Sequence, residues 1–176
     1  SMADDGYTLA GICHQEAGNS ARALKMWKKQ VEQYPSGDML AEGYWRWAWH
    51  TYLSGNTPAA LQIAENSQQV VPLHGDPVHA FALRYWAARW KIHPYKNYPA
   101  KRNSDANVVA QAIDELAVLC TSHPTRFYSL LAAQRIYETD ATKAKKVSRP
   151  TWPEPQDYWE VQEEFYQNKK LQTAIK

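Results

Sequence analysis

The segment Gly18-Asn19-Ser20-Ala21-Arg22-Ala23-Leu24 recurs as Gly55-Asn56-Thr57-Pro58-Ala59-Ala60-Leu61, 37 residues on, from position 18 to position 55. Gly followed by short polar residues ends one helix and starts another. Apolar residues at helical spacing flank both copies. Ala21, Leu24, Trp27 and Val31 follow the first; Tyr44, Ala48 and Tyr52 precede the second. A break that returns after a period in the thirties, between two helices, belongs to arrays of stacked helix pairs. Each pair has an incomplete core and must lean on the next. The chain is therefore expected to be all-α, a superhelical stack of antiparallel helix pairs.

Asp76 to Trp90 shows how such pairs are held. Asp76 suits an N-cap, and Pro77 suits the first helical position, where its missing N–H costs nothing. At about 100° per residue, Arg84 and Lys91 share one narrow polar stripe. Val78, Phe81, Ala82, Leu83, Tyr85, Trp86 and Trp90 cover most of the remaining circumference. A helix apolar on more than one face has neighbours on more than one side. Arg89 lies roughly opposite Arg84 and is predicted to point into the packing. A buried guanidinium needs acceptors, so Arg89 is expected to bridge to a carboxylate or to helix C-terminal carbonyls. Tyr85 and Trp86 are predicted to be buried beside it.

Helices are read over Tyr7–Ala17, over Ala21–Tyr34 after a Ser20 cap, and over Met39–Leu53 after an Asp38 cap. Pro35 stops the second of these. The alternation of Trp45, Trp47 and Trp49 could suit a strand, but Tyr44, Ala48 and Tyr52 at i, i+4 favour helix. Thr57 caps a helix reaching about Val70. Ser104 or Asp105 caps one from about Ala106 to Cys120, with Val109, Ala112, Ile113, Leu116 and Leu119 as its apolar face. Another runs from Arg126 to Tyr137. The expected organisation is a helical-repeat region over 1–137, a linker over 138–155 carrying one helical turn, and the start of a further helix pair over 156–176, apparently truncated.

The chemistry of common sites is missing. A net charge of +2 does not call for nucleic acid as partner. No apolar run approaches the roughly 20 residues that span a bilayer. The opening Ser1-Met2 looks like a cloning remnant, so a missing signal segment carries no information. Cys13 and Cys120 follow no metal-ligand spacing; two buried thiols are expected, with a disulfide left open. The six His residues form no helical ligand pair with a third ligand nearby. No phosphate-binding Gly loop occurs. Glu163 and Glu164 read as a solvated face. No cofactor, metal or catalytic residue is predicted.

The loop after Trp90 interleaves Tyr95 and Tyr98 with Lys96, Lys101 and Arg102. Aromatic faces can stack on sugar rings, and these cations can meet carboxylates. These five residues are the candidate contacts for a glycan or partner.

Tyr85-Trp86-Ala87-Ala88-Arg89 resembles the Tyr-Trp-x-Ala-Arg helix of the soluble lytic murein transglycosylases. Phe127-Tyr128-Ser129-Leu130-Leu131-Ala132-Ala133-Gln134-Arg135 resembles the Phe-Tyr-Gly-x-Leu-Ala-x-x-Arg helix that follows it there, with Ser129 in place of Gly. Trp45-Arg46-Trp47-Ala48-Trp49, with Tyr52 and Gly55, looks like the preceding helix pair. The resemblance implies a tetratricopeptide-like superhelix in the bacterial periplasm. In that family it is a non-catalytic scaffold ahead of a lysozyme-like domain that cleaves peptidoglycan with one Glu of a Glu-Ser motif. No Glu-Ser pair occurs in this sequence. The resemblance thus implies the scaffold alone, with glycan strands, the parent chain's own catalytic domain or other cell-wall proteins as partners. A tetratricopeptide-like adaptor for protein partners is the alternative.

Overall fold

The computed structural model describes residues 2–72, 77–94, 102–124 and 126–147. Within them all regular structure is helical: α1 Met2–Glu16, α2 Ser20–Gln33, α3 Leu40–Leu53, α4 Thr57–Ser67, α5 Pro77–Ile92, α6 Ala106–Ser122, α7 Phe127–Thr139 and α8 Ala141–Ala144. The closely spaced Trp45, Trp47 and Trp49 lie on α3. Among the described residues no helix is long and apolar enough to cross a membrane.

The two Gly-Asn breaks are one structure used twice. Gly18 and Gly55 adopt φ of 75° and 92°, a region that favours Gly. Gly18 N–H donates to the Gln15 carbonyl and Asn19 N–H to that of His14; Gly55 and Asn56 repeat both bonds onto Tyr52 and Thr51. This paired bonding satisfies carbonyls that the helix end would leave open. Asn19 and Asn56 then cap the next helices, accepting from the N–H groups of Arg22 and Ala59. The caps are thus the Asn residues, one position before the expected Ser20 and Thr57. Both residue types cap well, and the helix takes the first that the Gly turn delivers. Asp38 does not cap α3, which starts after Met39 with no side-chain cap. Asp105 does cap α6, accepting from Asn107 and Val108.

Each helix packs on its successor, and α1 on α3, α3 on α5 and α5 on α7. Odd-numbered helices therefore form a row. Among the described residues the backbones of α2, α4 and α6 do not approach one another as closely. At the start of the row Gly11 lets α1 close on α2: a Cβ there would stand 2.2 Å from Nε1 of Trp27. The Trp27 indole is fully buried and donates to the Thr8 carbonyl.

Helix α5 feeds every core cluster. Phe81, Tyr85, Ala88 and Ile92 join α6 and α7; Leu83, Ala87 and Trp90 join α3 and α4; Ala80 joins Val31, Leu40, Ala41 and Val71. Its nearly all-round apolar surface is thus matched by neighbours on several sides. Two expectations on this helix are corrected. Lys91, placed on a polar stripe, is only 8% exposed. Its ammonium donates to Glu115 at 2.7 Å and lies 2.9 Å from Glu65, so it clamps α4, α5 and α6 together. Tyr85 is buried at 2%, but Trp86 and Arg89 are only half-buried.

Other departures are local. Cys13 is exposed; Cys120 is buried, and desolvation pushes its thiol pKa up to about 11, so it stays protonated at neutral pH. Ser129 is buried and donates to the Leu119 carbonyl at 2.9 Å, so the hydroxyl serves the α6–α7 contact. Ala144 and Val147 join the α5–α6–α7 core, so the first part of the expected linker is packed. The remainder, and 156–176 with Glu163 and Glu164, lie outside the described residues.

Candidate binding face

Trp45, Trp49 and Tyr52 recur at i, i+4 and i+7 along one side of α3, the side that meets α5. There they find Trp86. Trp45 stacks on Trp49 with ring centroids 5.3 Å apart. Trp49 meets Trp86 edge-on at 4.7 Å, and Tyr52 lies 6.0 Å from it. The chain of rings continues through Tyr85, 5.7 Å from Trp86, to Tyr128 on α7, 5.6 Å from Tyr85. Rings from three odd helices thus join into one band. Trp45, Trp49, Tyr52, Trp86 and Tyr128 are all half-buried, with part of each side chain at the surface.

Two guanidinium groups belong to the helices that carry this band. Arg89, one turn after Trp86, holds its guanidinium carbon 4.3 Å from the Trp86 ring centroid, a cation–π contact. On α3, Arg46 places both Nε and Nη2 2.7 Å from one oxygen of Glu42. Burial raises the Tyr128 pKa, and a hydrogen bond from Trp86 partly opposes it. Burial lowers the His50 pKa, with Arg46 adding to the effect; the His50 ring lies 4.9 Å from that of Trp27.

The loop candidates are placed only at one end. Tyr95, Lys96, Tyr98 and Lys101 lie outside the described residues. Arg102 is exposed and donates to the Thr139 carbonyl at 3.1 Å. Next to it, Asn103 ties the loop's base: its N–H donates to the Ile92 carbonyl at 2.8 Å and its side chain to that of Lys91 at 3.0 Å. Arg102, Ser104, Val109, Ile113 and Lys143 border a cavity of about 420 Å³. Lys143 is paired with Asp114.

The aromatic band offers surface for recognition. Indole and phenol rings bury large apolar area while their edges stay polar, which suits flat amphipathic ligands. Among the described residues, one group has metal-type donors close together: the carboxylates of Asp4, Asp5 and Asp38, within 4.8 Å of one another. The aromatic band was missed as a site in the sequence, where its rings read as core. The i, i+4, i+7 recurrence on α3 was its visible signal. The chain was compared with family models, curated proteins and solved structures, and it matches none of them.

Proposed function

We propose that this chain is the non-catalytic scaffold of a periplasmic peptidoglycan lytic transglycosylase. In this reading it is a tetratricopeptide-like superhelix that positions glycan strands or the parent chain's own catalytic domain. The observation that carries the reading is the row α1–α3–α5–α7, each helix packed on the next, with the same Gly-Asn hinge at 18 and 55. That layering is the one helix-pair solenoids use to build a long surface. The Trp86 and Arg89 positions of the resemblance fall on that row, where they contribute to the aromatic band.

The test is co-sedimentation with purified cell-wall sacculi, alongside a glycan-cleavage assay. The expected result is a chain that pellets with sacculi and releases no product. A chain that stays in the supernatant contradicts glycan positioning. Measurable cleavage contradicts a purely scaffolding role. The adaptor reading is favoured by exposed Val78 and Phe127, which are 61% and 66% exposed. It predicts no pelleting.

A further inference from the structure

We propose that the cavity bordered by Arg102, the first turns of α6 and the start of α8 is a binding site for a small organic monocarboxylate with an apolar tail. This goes beyond the scaffold reading and does not depend on it. Two distant parts of the chain build the polar rim. Asn103 ties the loop's base to the end of α5, and from there Arg102 reaches the Thr139 carbonyl, 37 residues on. Asp140 caps α8 by accepting from the N–H groups of Thr142 and Lys143. The chain turns there, and Lys143 comes back to pair with Asp114 on α6. The apolar lining is a single stripe of α6. Ala106, Val109, Ala110 and Ile113 follow one another at helical spacing. Val109 and Ile113 are only 9% and 5% exposed, so they form its fixed base.

Charge sets one end of the ligand. The charged side chains of the lining are Arg102, Lys143 and Asp140. One Asp140 oxygen serves two α8 N–H groups, and Lys143 is answered by Asp114. Arg102 differs. It is exposed and bonds a neutral carbonyl, so among the described residues it forms no ion pair. A guanidinium carries several N–H donors in a planar fork, and those not spent on Thr139 suit the two oxygens of a carboxylate. Size and the α6 stripe set the other end. The cavity measures about 420 Å³, within the range of small-molecule sites. At about 30 Å³ per water-sized group it admits about a dozen heavy atoms. Inorganic phosphate would leave the apolar stripe unused, and a neutral apolar ligand would leave the guanidinium unanswered.

The test titrates the full, isotope-labelled chain with three probes while its backbone amide signals are followed by NMR. The probes are phenylbutyrate, its neutral amide and inorganic phosphate. Phenylbutyrate is expected to bind with a Kd of about 1 mM or below, shifting the amides of Ala106, Ala110 and Lys143. The neutral amide should bind at least about tenfold more weakly, because it offers no charge to Arg102. Arg102→Gln, at an exposed position, should bring phenylbutyrate down to the level of the amide and leave the amide unchanged. Ala110→Phe fills the cavity from an exposed position on α6. It should weaken both organic probes by about tenfold or more, with the helical circular dichroism retained. Should Ala110→Phe lose its fold, Ala110→Glu replaces it, and phenylbutyrate alone should then be weakened by repulsion.

Equal binding of the acid and its amide, or phenylbutyrate binding untouched by Arg102→Gln, overturns the carboxylate assignment. Phosphate that shifts the same amides at the same concentration overturns the apolar tail. No saturable shift with any probe, or shifts confined to helices other than α6, α7 and α8, overturns the site.

Discussion

Trp90→Ala is expected to lower the unfolding free energy by about 4 kcal/mol, since large aromatic truncations in a core cost about 3–5 kcal/mol. Trp90 is 1% exposed and packs with Ala48, Ala60, Ile63, Ala64, Leu83 and Ala87 from three helices. A domain of ordinary stability holds only about 5–15 kcal/mol, so the variant should sit near the edge of folding. Packing carries this cost, because the Trp90 indole nitrogen finds no hydrogen-bond partner among the described residues. Trp90→Phe, which keeps a ring and removes an unsatisfied N–H, is therefore expected to cost about 1 kcal/mol or less. Val78→Ala, on an exposed side of the same helix, should cost almost nothing. Urea midpoints for the three variants read these effects. Equal losses for Trp90→Phe and Trp90→Ala would contradict the packing account.

Lys91→Met carries the second-largest effect. The substitution leaves Glu65 and Glu115 facing each other without the cation between them. Breaking a fully buried pair costs about 3–5 kcal/mol. The Glu65 and Glu115 side chains are 38% and 30% exposed, so water softens the loss to about 2 kcal/mol. The pH dependence has a definite sign. Burial alone would lower the Lys91 pKa, but hydrogen bonds to Glu115 and Glu65 outweigh it and the net shift is upward. A cation with a raised folded pKa contributes its full stability below the unfolded value, about 10.4. That contribution drains as pH rises through the folded pKa. The gap between wild type and Lys91→Met should be constant near neutral pH and close above about 10.4. A gap that widens with alkalinity would contradict the clamp.

What the sequence revealed and what it hid follow from the range of each interaction. The Gly-Asn hinges were legible because a Gly turn and an Asn cap are settled within a few residues. The inner position of α5 was legible because Phe81, Leu83, Tyr85 and Trp90 leave it no wholly polar face. Lys91 was misread because a helical projection gives an angle and not what lies across from it. Glu65 is 26 residues earlier and Glu115 is 24 later, so nothing local announces the clamp. The half-burial of Arg89 was missed for a related reason. On a helix apolar nearly all round, burial cannot be assigned to one side, and Arg89 settles on Trp86 one turn back. The aromatic band was hidden because half-buried tryptophans and core tryptophans share one sequence pattern. Of the loop candidates only Arg102 is described, and it contacts the end of α7.

The central physical claim is that α5 is the inner helix of a stacked row, held from several sides at once. Native-state hydrogen exchange tests it directly, because amides that open only on global unfolding exchange slowest. The stacked-row account predicts the slowest amides in α5, between Phe81 and Trp90, with α1 and α8 exchanging through local fraying at the ends. Exchange in α5 as fast as in α1 would contradict it.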